Sequence, residues 1–220
     1  QGNCERITHA LSLTFPHQFL DCFDTILDSM RQDNKPKWIA GLAAHDPEKS
    51  VELLMQLAEE TRHEKKPINM NNISTMTGIL LKHGGSLGRR AVYQWLVDYP
   101  HIAYAIVKRI ASDGSREQDR PRLKDELYRN RLHIERLRTL SSSKERDDHL
   151  RAAAQLQVEV LNALYSFGED QSFVDMLSLV VSQPEDYADQ VLKYQARLLI
   201  PGPIKNFLST ADLEDDVGVI

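Results

Sequence analysis

Three joints in this chain share one design, and they constrain the fold more than any other feature. At Leu42-Ala-Ala-His-Asp-Pro47, Leu96-Val-Asp-Tyr-Pro100 and Val180-Val-Ser-Gln-Pro184, apolar residues at helical spacing stop, a polar turn ends in proline, and a second helical run follows at once. Proline at the first turn of a helix is tolerated, because its missing N–H would be unpaired there anyway. A helix, a proline turn and a second helix make an antiparallel hairpin. Several in series make a stack or a bundle.

The rest of the chain reads the same way. Phe19, Phe23, Ile26, Leu27 and Met30 mark a helix over 16–32. Asp46 is placed to cap the next long helix, with Val51, Leu54, Met55 and Ala58 inward. Ile73, Thr77 and Leu80 line a helix over 70–83, and His83-Gly84-Gly85 reads as its stop. Ser86 is a cap for the following helix, whose inner residues are Leu87, Ala91, Trp95 and Leu96. Ile102, Ala103, Ile106, Val107 and Ile110 form the cleanest stripe. Ser115 to Gln118, Ser142 to Glu145 and Ser182 to Glu185 have capping-box spacing, predicting helices that begin near 116, 144 and 184. No segment alternates with period two long enough for a strand. The expectation is an all-α chain of about eleven helices, an irregular stack of antiparallel hairpins. It is either a HEAT-like α-solenoid or a compact helical bundle. The joints lie 53 and 84 residues apart, so no fixed repeat period is met.

The 220 residues are expected to form a single all-helical domain, 1–220, and the start at Gln1 suggests a processed form or a piece of a longer chain. Apolar residues at 41% and charged residues at 27% are the proportions of a globular protein. A net charge of −5 disfavours nucleic acid as a general partner but leaves room for a local basic face. Cys4 and Cys22, too few for a disulfide framework, point to free thiols in the cytoplasm or another reducing compartment. No apolar run reaches the roughly 18 residues of a membrane span.

Residues 113–167 differ from the rest. Eight basic residues, Arg116, Arg120, Arg122, Lys124, Arg129, Arg131, Arg136 and Arg138, alternate with five acids over a sparse seam of Leu123, Leu127, Ile134 and Leu137, with Asn130 filling the gap. The spacing is heptad-like. It predicts a long helix packed on one neighbour, returning through Leu150, Ala154, Leu161 and Leu164 as a projecting hairpin. Arginine outnumbers lysine seven to one here. Guanidinium forks bind carboxylate and phosphate in pairs, so the excess points to contacts as well as solubility. The simpler reading is a solvated helix laced by i,i+4 ion pairs.

Lys82-His-Gly-Gly-Ser-Leu-Gly-Arg-Arg90 is the other site-like stretch, with glycines before a helix start and cations close by. It reads as a helix stop and a capped start, or as an anion or phosphopeptide site. It lacks Walker spacing. Glu60-Thr-Arg-His63 has the spacing of a di-iron ligand pair but no second copy. Nothing in the chain asks for a catalytic constellation, a metal or a cofactor. The functional expectation is a non-catalytic protein–protein interaction module that binds a peptide or a partner helix. The alternative is a nucleic-acid-binding helical surface. The candidate partner or anion-binding residues are Lys82, Arg89, Arg90, Arg122, Arg129, Arg131 and Arg136.

Overall fold

A computed structural model describes residues 7, 10–31, 34–63, 70–202 and 204. The chain is all-α, with no strand among the described residues. Its elements are α1 (Pro16–Ser29), α2 (Lys35–Leu42), α3 (Pro47–His63), α4 (Met70–His83), α5 (Gly85–Asp98), a 3-10 turn (Pro100–Ile102), α6 (Ala103–Asp113), α7 (Arg116–Thr139), α8 (Lys144–Ser166), α9 (Asp170–Val181) and α10 (Tyr187–Leu199). They group into two compact units, Gln1–Gly114 and Ser115–Ile220. Cys4, residues 64–67 and the acidic tail of Asp212, Glu214, Asp215 and Asp216 lie outside the described residues. No described helix is long and apolar enough to cross a membrane.

In unit 1, α4 is the central helix, packed against α2, α3, α5 and α6. Ile73, Met76, Leu80 and Leu81 are buried on it. Phe19 and Phe23 of α1 meet Trp38 of α2 at ring-centroid distances of 4.8 and 5.8 Å. The Trp38 indole N–H donates to the Phe23 carbonyl at 3.1 Å, so the one polar atom of that ring is satisfied inside the core. Two proline joints behave as the sequence predicts. The Asp46 carboxylate accepts the Lys49 N–H at 2.9 Å and Pro47 opens α3, while Pro100 opens the 3-10 turn that leads into α6.

The third joint differs. Pro184 stands in an extended stretch and α10 begins at Tyr187, because the Asp186 side chain takes the Asp189 N–H at 2.9 Å and sets the start. The other boxes shift too. Ser143, and not Ser142, caps α8 by accepting the Arg146 N–H at 3.1 Å. Ser115 makes no side-chain cap; its own N–H donates to the Asp119 carboxylate at 2.6 Å.

The phase of α5 also differs from expectation. Leu87 is 70% exposed, while Val92, Trp95 and Leu96 are buried. Gly84 and Gly88 explain the turn of phase. A Cβ at either would stand 2.6 or 2.5 Å from the Leu80 carbonyl oxygen, so the backbones of α4 and α5 meet where the glycines are, and Leu87 is carried to the outside. Ser86 does not cap; Gly84 holds that position with φ of −82°, and Gly85 alone takes the left-handed conformation. On α3, Leu57 is buried and Met55 faces out.

In unit 2, α8 is central and packs against α7, α9 and α10. The seam of α7 is as read: Leu123, Leu127, Ile134 and Leu137 are buried, and the Asn130 amide donates across to the Ala153 carbonyl at 2.8 Å. Leu150, Ala154, Leu161 and Leu164 are buried on α8. The α7–α8 hairpin is therefore real, but within its unit it is no bare projecting arm. The faces of α8 that α7 leaves uncovered are taken by α9 and α10, whose Ala188, Val191 and Leu192 complete one apolar cluster with Ile134, Leu137, Leu150 and Ala153.

Candidate functional site

An α-helix turns about 100° per residue, so residues seven apart fall almost in line. On α7 that rule sorts the arginines into two rows on either side of the buried seam. Lys124, Arg131 and Arg138 form one row, and Arg122, Arg129 and Arg136 the other. Opposite the seam, about 160° round from Asn130, stand Tyr128 and Leu132. They are 65% and 43% exposed.

The first row is spent inside unit 2. Lys124 reaches the Glu169 carboxylate at 2.7 Å, joined there by Arg120, whose Nε donates at 2.8 Å. Arg131 meets Asp175 at 3.0 Å. Arg138 holds both Asp186, at 3.1 Å, and Asp189. These bonds join α7 to the start of α9, to its middle and to the cap of α10. Donated hydrogen bonds from Lys124 and Arg120 hold the Glu169 carboxyl below the usual carboxylate range. Burial raises the Asp189 carboxyl, but the Glu185 backbone N–H and Arg138 outweigh it, and the net shift is downward. Gly168 is needed beside this junction. Its φ is +80°, and a Cβ there would stand 3.0 Å from the Arg116 guanidinium. A cavity of about 510 Å³ lies against Arg116, Glu117, Arg120, Pro121 and Lys124, yet two of its cations are already bound to Glu169.

The second row borders the exposed apolar face. Arg129 pairs at 2.8 Å with Glu126, a residue that faces the seam, and its own side chain is more than half exposed. Burial raises the Glu126 carboxyl and Arg129 only partly offsets it. Arg122 is half-buried. Arg136 is exposed and has no ion pair among the described residues. His133 nearby is pushed down by burial, then by His149 and Arg136. Pro121 sits on the outer face as well. The helix runs through it because the carbonyl it leaves without a donor, that of Glu117, also points outward to water.

Of the seven expected site residues, four lie on α7 and three in unit 1. Arg122, Arg129 and Arg136 form one row; Arg131 belongs to the other and is bound to Asp175. In unit 1, Lys82 and Arg90 are exposed and Arg89 is half-buried. The glycines among them serve the close approach of α4 and α5, and the Gly88 N–H is taken by the Gly84 carbonyl at 2.7 Å, which leaves less of an anion cradle. Sequence reasoning missed Tyr128 and Leu132 as a face. Their signal was there: an i,i+4 apolar pair opposite an i,i+7 seam. Among the described residues, no three His, Cys, Asp or Glu side chains converge as metal ligands would. Comparisons with protein-family models, with curated proteins and with solved structures find no match for this chain.

Proposed function

We propose that this chain is a non-catalytic protein–protein interaction module, a helical scaffold that receives a peptide or partner helix on α7. The observation that carries this reading is that α7 is apolar on two opposite faces. One face is buried on α8; the other, with Tyr128 and Leu132, is covered by nothing among the described residues. A helix with a second apolar face is a docking surface for another helix. The HEAT-like or bundle-like stacking of the remaining helices serves as its support. The nucleic-acid alternative draws less support, since Arg129 and Arg131 are paired with acids and interleaved carboxylates repel phosphate. Cys22 is a free thiol, which fits the reducing compartment expected from the sequence.

The test is affinity capture with the wild-type chain and with a Tyr128→Glu/Leu132→Glu double variant. Both positions are exposed, so the variant should keep its far-ultraviolet circular dichroism. Partners retained by wild type and lost by the variant are expected. Identical captured sets from the two proteins would overturn the assignment of this face.

A further inference from the structure

The interaction-module reading leaves the partner's chemistry open, and the rows of α7 narrow it. Around the outer face, the two flanks are unlike. The Lys124, Arg131 and Arg138 flank is neutralised by Glu169, Asp175, Asp186 and Asp189 from the same unit. The Arg122, Arg129 and Arg136 flank contains one acid, Asp125, and its closest internal counter-charge, Glu126, faces the seam and is buried. The exposed apolar stripe is therefore electropositive along one side only. Self-association does not suit it. An antiparallel copy centred between Tyr128 and Leu132 would place Lys124 against Arg136 and Asp125 against Glu135, like against like.

We infer that the outer face of α7 takes an amphipathic helix with acidic residues along one flank, seating its apolar stripe on Tyr128 and Leu132 and its carboxylates on Arg122, Arg129 and Arg136. This rests on the interaction-module reading. Spacing at seven matches the heptad of a partner helix, so each arginine meets one turn-pair of the ligand. Guanidinium groups at the rim of an apolar contact give orientation and specificity more than raw affinity. Arg129 can serve while it holds Glu126, because its side chain is more than half exposed.

The experiment uses the full chain and two synthetic three-heptad helices, each with leucine at the core positions. One carries Glu along a single flank, the other Lys. Fluorescence anisotropy at low salt reads their binding. The Glu-flanked helix should bind about tenfold or more tighter than the Lys-flanked one. Arg122→Glu/Arg129→Glu/Arg136→Glu should reverse that order, and circular dichroism confirms that the variant stays helical. Milder Arg→Gln changes at the same positions should abolish the preference without reversing it. If both helices bind equally and Tyr128→Glu/Leu132→Glu abolishes both, the docking face stands and the acidic partner falls. If neither helix binds at about 100 µM, well beyond a micromolar dissociation constant, the face itself falls. If duplex DNA or single-stranded RNA displaces the Glu-flanked helix in a way that depends on the three arginines, the row is a nucleic-acid surface and the inference is overturned.

Discussion

The two central helices, α4 and α8, solve the same problem with different chemistry. Each is wrapped by neighbours and buries most of its length. Around α4, the buried polar residues of unit 1 are Ser12, Ser50, Asn72 and Thr77, all uncharged. Around α8, unit 2 buries Asp119, Glu126 and Glu159 along with Asn130, Gln157 and Ser172. Every buried carboxylate among the described residues is thus in unit 2. Unit 1 is specified by shape, through aromatic rings and glycine-paved backbone contacts. Unit 2 is specified by matching polar groups across the α7–α8 seam and by cations that tie α7 to acids far along the chain. Shape is indifferent to pH and salt; charge matching is not. The chain provides its own readout, because its two tryptophans, Trp38 and Trp95, both lie in unit 1. Fluorescence follows unit 1, and circular dichroism follows both.

The sharpest way to strain the contrast is to open the aromatic cluster. Phe23 is 1% exposed and touches Phe19 and Trp38. Phe23→Ala should destabilise by about 3–5 kcal/mol, through lost transfer energy and the cavity left behind. Urea unfolding followed by fluorescence should show the full shift, at both low and high salt. A shift that vanished at high salt would contradict the assignment of unit 1 to shape. Next is the close approach of α4 and α5. Gly88→Val inserts a branched side chain where even a Cβ would meet the Leu80 carbonyl, and should lose about 1–3 kcal/mol. Leu87→Ala, one residue away on the exposed side, should change little; the pair of variants tests the observed phase of α5.

That phase shows what the sequence could and could not convey. The helices, the buried seam of α7 and the return through α8 were legible because apolar spacing encodes which side of a helix is dry. Leu87 misled because side-chain hydropathy says nothing about backbone approach, and here the two glycines set the contact. The serine boxes misled for a similar reason. Ser141, Ser142 and Ser143 are interchangeable by spacing, and Asp186 outcompetes Ser182 as a cap by position alone. The ion pairs of α7 span 44 to 51 residues, and a list of charges does not name partners at that distance. For the site, the arginine excess was visible. Its division into a bound row and an outward row needed the helix phase.

Unit 2 should respond to pH in two opposing ways. Glu126 has a carboxyl raised above its ordinary value, so its contribution is present at low pH and is lost as pH rises through the folded value. At neutral pH, Glu126→Gln should therefore stabilise by about 1 kcal/mol, and the gain should shrink toward zero in acid. Asp189 runs the other way. Its carboxyl is lowered, so its stability is present at neutral pH and is lost as pH falls through the folded value. Circular dichroism melts at neutral and acid pH, on wild type and Glu126→Gln, separate the two. A gain from Glu126→Gln that persisted unchanged in acid would mean that volume, and not charge, is what the substitution relieves.

The smallest effect tests whether the bound row of α7 holds unit 2 together or only trims it. Arg131 meets Asp175 with both side chains substantially exposed, at 49% and 33%. Exposed pairs are worth about 0.2–1 kcal/mol. Asp175 keeps a second donor, the Gln171 side-chain amide at 3.0 Å, so removal of Arg131 leaves no orphaned charge. Arg131→Ala should thus lower the circular dichroism midpoint by less than about 1 kcal/mol, leave the tryptophan transition in place, and become silent in high salt. Arg138 is less exposed and holds two carboxylates at the cap of α10, so Arg138→Ala should lose more than Arg131→Ala under the same conditions. Equal losses at the two positions would mean that the row acts as one screened charge line along α7. A graded loss means that each cation secures the particular turn it reaches, and that unit 2 is fastened most firmly where its last helix begins.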